Sequence, residues 1–187
     1  MSVAMDHTGP WTVADVLALP EDRTVRYELL GESLVMSPAP GVRHQRASFR
    51  LHVALDAAAR AAGAPVEVLE GVNVVLPSGL VVPDLVVADA GATADDPVTV
   101  DIEAVQLVVE LVSPGNSTMD RKVKPMLYAE AAIPHFWRLE FDPAPMLVTY
   151  ELQGGRYVQR ATALAGATTH LDTPFPLAID PAGLARQ

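Results

Sequence analysis

Two apolar runs, each interrupted by a single carboxylate, constrain this chain more than any other feature. LVVPDLVVADA carries Asp84 and AVQLVVELVSP carries Glu110. Continuous apolar runs of this length read as strands buried on both faces. Burying an unpaired carboxylate costs several kcal/mol, so each acid needs a cation or a set of donors beside it. The two lie 26 positions apart, a spacing that lets them occupy neighbouring strands and share one hard cation, which favours oxygen ligands. The alternative is structural: Asp84 closes a turn after Pro83, and Glu110 pairs with an arginine, because ion pairs also place acids in strands.

The rest of the chain supplies a frame for these strands. Trp11, Val13, Val16 and Leu17 have near-helical spacing, with Thr12 as a cap and Pro20 as a stop. YELLGESLVMSPAP reads as a hairpin, Tyr27 to Leu30 and Ser33 to Met36, turning at Gly31-Glu32. From Val42 to Ala62 the residues Ala47, Leu51, Ala54, Leu55 and Ala58 form one apolar stripe of a long helix that Gly63 ends. PVEVLEGVNVVL begins a strand series, Gly91 to Glu103 reads as a polar loop, and Met119 to Ala132 reads as a helix with Pro125 near its first turn. HFWRLEF, MLVTYEL and RYVQRATAL follow as strands, with a last short strand near His170-Leu171. With no repeat, linker or low-complexity segment, the 187 residues read as one α/β domain, 1–187, with a mixed sheet flanked by helices.

Composition matters mainly for what it excludes. No apolar run reaches the roughly 18 residues of a membrane span, and MSVAMDHTGPW lacks the basic start and apolar stretch of a leader. The absence of cysteine excludes disulfides and thiolate metal sites and fits a reducing, cytoplasmic setting. A formal net charge of -10 argues against a general nucleic-acid binder. A nuclease can still be acidic when its basic residues cluster and a divalent cation offsets the carboxylates of the site.

The two lysines do fall together. Of 13 basic residues, only Lys122 and Lys124 are lysines, and both stand in STMDRKVKPMLY, directly after the Glu110 strand. A lysine is a compact charge that can address one oxygen or one water. A helix that follows a strand packs back on the sheet, so Lys124 can return toward Glu110 and stabilise charge in a phosphoryl transfer. On the long helix, Arg43, Arg46 and Arg50 form a strip suited to phosphates, or simply a solvated face. Asp120 and Arg121 fit capping and local pairing, and Phe136 and Trp137 fit a core or an interface.

At these residues the chain resembles a known family. The order YELLGESLVMSPAPGVRHQR, VVPDLVVAD, VVELVSPGNSTMDRKVKPMLYAEAAIPHFW, over roughly residues 12 to 142, looks like the Uma-two family within the PD-(D/E)XK nuclease superfamily. The resemblance implies a restriction-endonuclease-like core in which Pro83-Asp84 supply the "PD" and Glu110 the second acid. The third position departs from the superfamily pattern, since Val112 stands where lysine is expected. The family's lysine on the next helix corresponds to Lys124, with Lys122 as the second candidate. Glu28 resembles the extra acid that many members bring from the N-terminal region, although period-2 alternation also fits an exposed strand glutamate. His44 matches the family's histidine at the head of the long helix and could touch phosphate or metal, or serve as a surface group.

With these residues, the resemblance implies hydrolysis of DNA phosphodiesters with Mg²⁺ (or Mn²⁺) held by Asp84 and Glu110 and assisted by Lys124. A homodimer would bring two sites to two strands, with PHFW and FDPAPM as its apolar surface. Two rivals stand beside this expectation: a non-catalytic binding or regulatory module that keeps the nuclease fold, and an enzyme acting on another phosphate ester. Other chemistries lack their signatures: there is no G-x-S-x-G, no G-x-x-x-x-G-K-[ST] and no H-E-x-x-H, and the five histidines are scattered.

Overall fold

The structure is a computed structural model that describes residues 7–20, 22, 24–113, 115 and 117–186. Residues 1–6, where part of the leader expectation falls, lie outside the described residues. The elements run α1 (Val13–Leu17), β1 (Val25–Leu30), β2 (Ser33–Pro38), α2 (Val42–Ala62), β3 (Val66–Glu70), β4 (Asn73–Leu76), β5 (Gly79–Val81) and β6 (Leu85–Asp89). They continue with α3 (Ala90–Thr93), β7 (Thr99–Asp101), β8 (Val105–Leu111), a π turn (Met119–Val123), α4 (Lys124–Glu130), β9 (His135–Glu140), β10 (Met146–Gln153), β11 (Arg156–Leu164), β12 (Thr169–Leu171), β13 (Leu177–Ile179) and α5 (Ala182–Ala185).

The main sheet has six strands in the order β11-β10-β9-β8-β6-β3. It is mixed, because β8 and β9 run parallel while the other neighbours are antiparallel. Parallel strands need a crossover, and the π turn with α4 supplies it. A second sheet, β2-β1-β5-β4-β7, stands against the main one, and β12-β13 form a small ribbon. The fold is therefore mixed α/β with helices flanking the main sheet.

β8 is central and has helices or strands over both faces, which explains its near-unbroken apolar sequence. On one face Leu107, Val109 and Leu111 pack with Ala47, Leu51 and Leu55 of α2 and with Trp137 and Leu139. On the other, Val108 packs with Val86, Phe136 and Tyr128 of α4. Alternation puts Glu110 on the second face, beneath the π turn and α4.

α2 covers the expected Val42–Ala62, and Gly63 ends it at φ +63°, a left-handed conformation that favours glycine. Thr12 and Asp15 form a capping box on α1. Gly79 makes the tightest approach of chain to chain: a Cβ there would lie 2.1 Å from the Leu29 carbonyl oxygen. That approach sets β5 against β1, and through β5 it sets Val82 against Glu28.

Three details differ from the sequence expectation. The segment 91–103 is not simply a loop, because Thr99–Asp101 add a parallel strand to β4; three residues are too few to show a period. The helix from Met119 opens as a π turn, with Pro125 at the start of the α segment. Proline has no N–H to give the preceding turn, so the regular ladder begins only after it. Phe136 and Trp137 are each 1% exposed and Phe141 is 7% exposed, so the aromatic residues of PHFW and of FDPAPM belong to the core and offer no apolar surface. The apolar side chains that α2 leaves exposed, Val42, Phe49 and Val53, lie elsewhere. No helix among the described residues is long and apolar enough to cross a membrane.

Candidate functional site

β1, β6, β8, the π turn and the start of α4 meet at one end of the main sheet and carry four buried acids there. Leu85 of β6 faces Val109 of β8 in the register, so Asp84 and Glu110 end up side by side. Glu28 is 3% exposed, Asp84 5%, Glu110 2% and Asp120 5%. They open onto a cleft of about 620 Å³ whose mouth includes Arg43, His44 and Phe141.

Each acid has its own partners. Asp84 Oδ1 accepts from Arg26 Nη1 at 2.7 Å, and Oδ2 accepts from the Leu111 N–H at 2.8 Å. His44 Nε2 lies 3.1 Å from the same Oδ2. Glu28 Oε1 accepts from the Val82 N–H at 2.9 Å. Lys124 Nζ sits between two carboxylates, 2.9 Å from Glu28 and 3.0 Å from Glu110. The Tyr128 hydroxyl donates to Glu110 Oε1.

The electrostatics of the two central acids diverge. Burial pushes the Asp84 carboxyl up, but the hydrogen bond and charge of His44 together with Arg26 outweigh it and hold the group below its ordinary value. Glu110 is pushed up to about 8, first by burial and then by Asp84, Asp120 and Glu28, against the opposing pull of Lys124. Asp120 is pushed up to about 6 by burial and by Asp84 and Glu28, again against Lys124. Burial favours the neutral form of Lys124, yet Glu110 and Glu28 prevail and hold its ammonium charged well past the ordinary range. The four buried acids thus face one buried ammonium, Lys124, with the Arg26 guanidinium on Asp84 and that of Arg43 also in the lining, and the acids crowd most closely around Glu110.

That surplus and the all-oxygen donor set suit a hard divalent cation. Asp84 and Glu110 are the neighbouring carboxylates that would hold it. Among the described residues no three acidic or histidine side chains already converge as a ligand set. A cation would therefore share oxygens now engaged by Arg26, His44 and Lys124.

The structure brings together Asp84, Glu110, Lys124 and Glu28, and it brings His44 with them. Between the two lysines the placement is unambiguous: Lys124 is buried at the acids, whereas Lys122 is exposed and points to a different groove. Arg43 lines the cleft, donating to the Phe141 carbonyl at 3.0 Å and stacking over its ring at 4.7 Å. Arg46 is half-buried outside the cleft lining. Arg50 leaves the expected strip altogether, because its Nη1 donates to the carbonyls of Gly183, at 2.9 Å, and Arg186, at 2.6 Å. Those are the donors a phosphate would need.

Sequence reasoning missed Arg26, Asp120 and Tyr128. Simple periods mark all three: Arg26 is two residues before Glu28 on one strand face, and Asp120 and Tyr128 are four residues either side of Lys124. Asp120 is not a capping residue but a fourth buried acid, and Arg121 turns away from it to pair with Glu140.

No curated protein sequence matches this chain. A crystal structure from Anabaena variabilis, described as "a putative nuclease belonging to DUF820", superposes with a TM-score of 0.74 at 16% identity, covering 94% of this chain and 97% of that one. Its likeness is one of fold. Residues 13–183 match the Uma2 family, described as "Putative restriction endonuclease", and with the acids and lysine of that pattern gathered in one cleft, the chain belongs to this family of restriction-endonuclease-like nucleases.

Proposed function

We propose that this protein is a divalent-metal-dependent endodeoxyribonuclease. It would act in the cytoplasm as a homodimer of restriction-endonuclease-like domains spanning residues 1–187. The observation that carries the reading is Lys124, a buried ammonium held between Glu28 and Glu110 at the floor of an open cleft. An ammonium fixed in a water-poor site can stabilise charge on a phosphate oxygen as it develops.

Asp84 and Glu110 would hold Mg²⁺ (or Mn²⁺). Bound there, the ion lowers the pKa of a water and offsets the charge of the scissile phosphate. The remaining work falls to the chain itself. The Leu111 N–H and Arg26 fix the Asp84 carboxylate, Tyr128 fixes Glu110, and Glu28 aims the lysine. Arg43 in the cleft lining would supply positive charge for a phosphate beside the cut, and His44, on Asp84, helps fix that carboxylate.

One observation favours a second reading, a non-catalytic module on the same fold: both oxygens of Asp84 are already satisfied by cationic or main-chain donors. Calorimetric titration with Mn²⁺ separates the two. The nuclease reading predicts saturable uptake by the wild type that is lost in Asp84→Asn. A wild type that takes up neither Mn²⁺ nor Mg²⁺ leaves the binding module in its place.

A further inference from the structure

We propose that a groove on the far side of the π turn and α4 is a binding site for a single nucleic-acid strand continuous with the one in the cleft. This rests on the nuclease reading above. The groove has a volume of about 460 Å³ and gathers Arg121, Lys122, Arg138 and Arg156 around Tyr150 and Tyr157. In a chain of 13 basic and 23 acidic residues, four basic side chains converge here with Glu130 as the one acid of the lining. Glu140, just beneath, pairs with both Arg121 and Arg138. The groove still carries about two uncompensated positive charges while the whole protein carries -10. A concentration of cations against the sign of the molecule fits a polyanion.

Its chemistry narrows the polyanion further. Lys122 and Arg156 are exposed on opposite walls, one on the π turn and one at the start of β11. Tyr150 and Tyr157 lie half-buried between them, and the Arg138 guanidinium sits 5.6 Å from the centre of the Tyr150 ring. Alternating cations and aromatic rings along a groove suit the phosphates and bases of an unpaired strand.

Position ties the groove to the cleft. Arg138 is the register partner of Glu110 across the parallel β8-β9 pair, so the two floors are about 4.8 Å apart, one strand spacing. The helical segment between them presents Lys124 to the cleft and Lys122 to the groove. A strand leaving the acids can pass over the π turn directly into the groove.

The test is fluorescence anisotropy of a labelled single-stranded oligodeoxynucleotide across a salt series, with Lys122→Ala, Arg156→Ala and the double variant. Both side chains are exposed and outside the acid cluster, so these variants should fold. The double variant should bind at least tenfold more weakly, with a log-affinity against log-salt slope shallower by about 1.4, roughly 0.7 for each phosphate no longer neutralised. Unchanged affinity and slope in the double variant, or no binding by the wild type, overturns the inference. So does equal competition by a polyglutamate peptide of matched charge, which would mark a general anion surface. Plasmid cleavage in the same samples keeps the two ideas separate. Oligonucleotide binding abolished in the variants, with no cleavage by the wild type, upholds the groove and removes the nuclease reading. Wild-type cleavage with binding indifferent to the variants does the reverse.

Discussion

Asp84 and Glu110 stand side by side at the end of one strand pair, yet they have opposite environments. Asp84 meets Arg26, His44 and a main-chain N–H, and its carboxyl is held low. Glu110 meets one shared ammonium and three other acids, and its carboxyl is pushed up to about 8. The cleft thus has one satisfied wall and one frustrated wall, with Lys124 as the cation on which the frustrated wall depends. An incoming cation gains most at Glu110, where it would replace a proton, and least at Asp84, where it would compete with existing donors.

The largest expected effect follows from removing that shared cation. Lys124→Met keeps most of the volume but leaves Glu28 and Glu110 buried without their ammonium. It should lower unfolding stability by about 3–5 kcal/mol in urea melts. A loss below about 1 kcal/mol would mean that the frustrated wall does not lean on Lys124.

Asp84→Asn should cost less, about 1–3 kcal/mol, because Arg26 is 30% exposed and can turn to water once its partner is neutral. The same change should abolish any stabilisation that rises with the logarithm of Mg²⁺ concentration. A variant that melts like the wild type would erase the distinction between the two walls.

Glu110→Gln should have a small effect on stability near pH 6, where Glu110 already keeps its proton in the folded state. Its signature is in the pH dependence. The folded pKa of Glu110 is raised, so the folded protein binds about one proton more than the unfolded chain between roughly pH 4.5 and 8. Stability from this group is fullest below about 4.5 and is lost as pH rises toward 8. Asp84, held low, works with the opposite sign: its contribution is present above 3.8 and lost on acidification. Urea melts across pH 4.5–8 should show a decline in the wild type that flattens in Glu110→Gln. An unchanged slope would contradict the assignment.

Tyr128→Phe should be the mildest change. It removes one hydrogen bond to Glu110 and should cost about 1 kcal/mol, with Mn²⁺ uptake preserved.

Much of this site was legible in the sequence because its acids interrupt apolar strands. A carboxylate inside LVVELV needs a cation or donors beside it, and periodicity located α2 from its stripe and Lys124 from its helix. Side-chain pairing between distant segments was not legible. The period that puts Arg26 on the face of Glu28 does not reveal that its guanidinium reaches Asp84, 58 positions on. Nor does the α2 sequence reveal that Arg50 anchors the C-terminal carbonyls while Arg43, about two turns back on the same face, lines the cleft. The short strands β7, β12 and β13 escaped or were only half seen, because three residues carry too little period to distinguish strand from loop. The Asp120 role was misread for a related reason: an acid near the start of a helix resembles a cap, and only the π turn rotates it into the cleft.

Under the nuclease reading, the acid-and-lysine cleft would cut DNA with the help of a divalent cation. The most direct measurement is nicking of supercoiled plasmid by the wild type and by folded Lys124→Met protein, in Mg²⁺, in Mn²⁺ and in chelator. The prediction is cleavage in either metal, none in chelator, and a drop of about 10²-fold or more in Lys124→Met. Plasmid left intact by the wild type in both metals, or cut equally well by Lys124→Met, would contradict it.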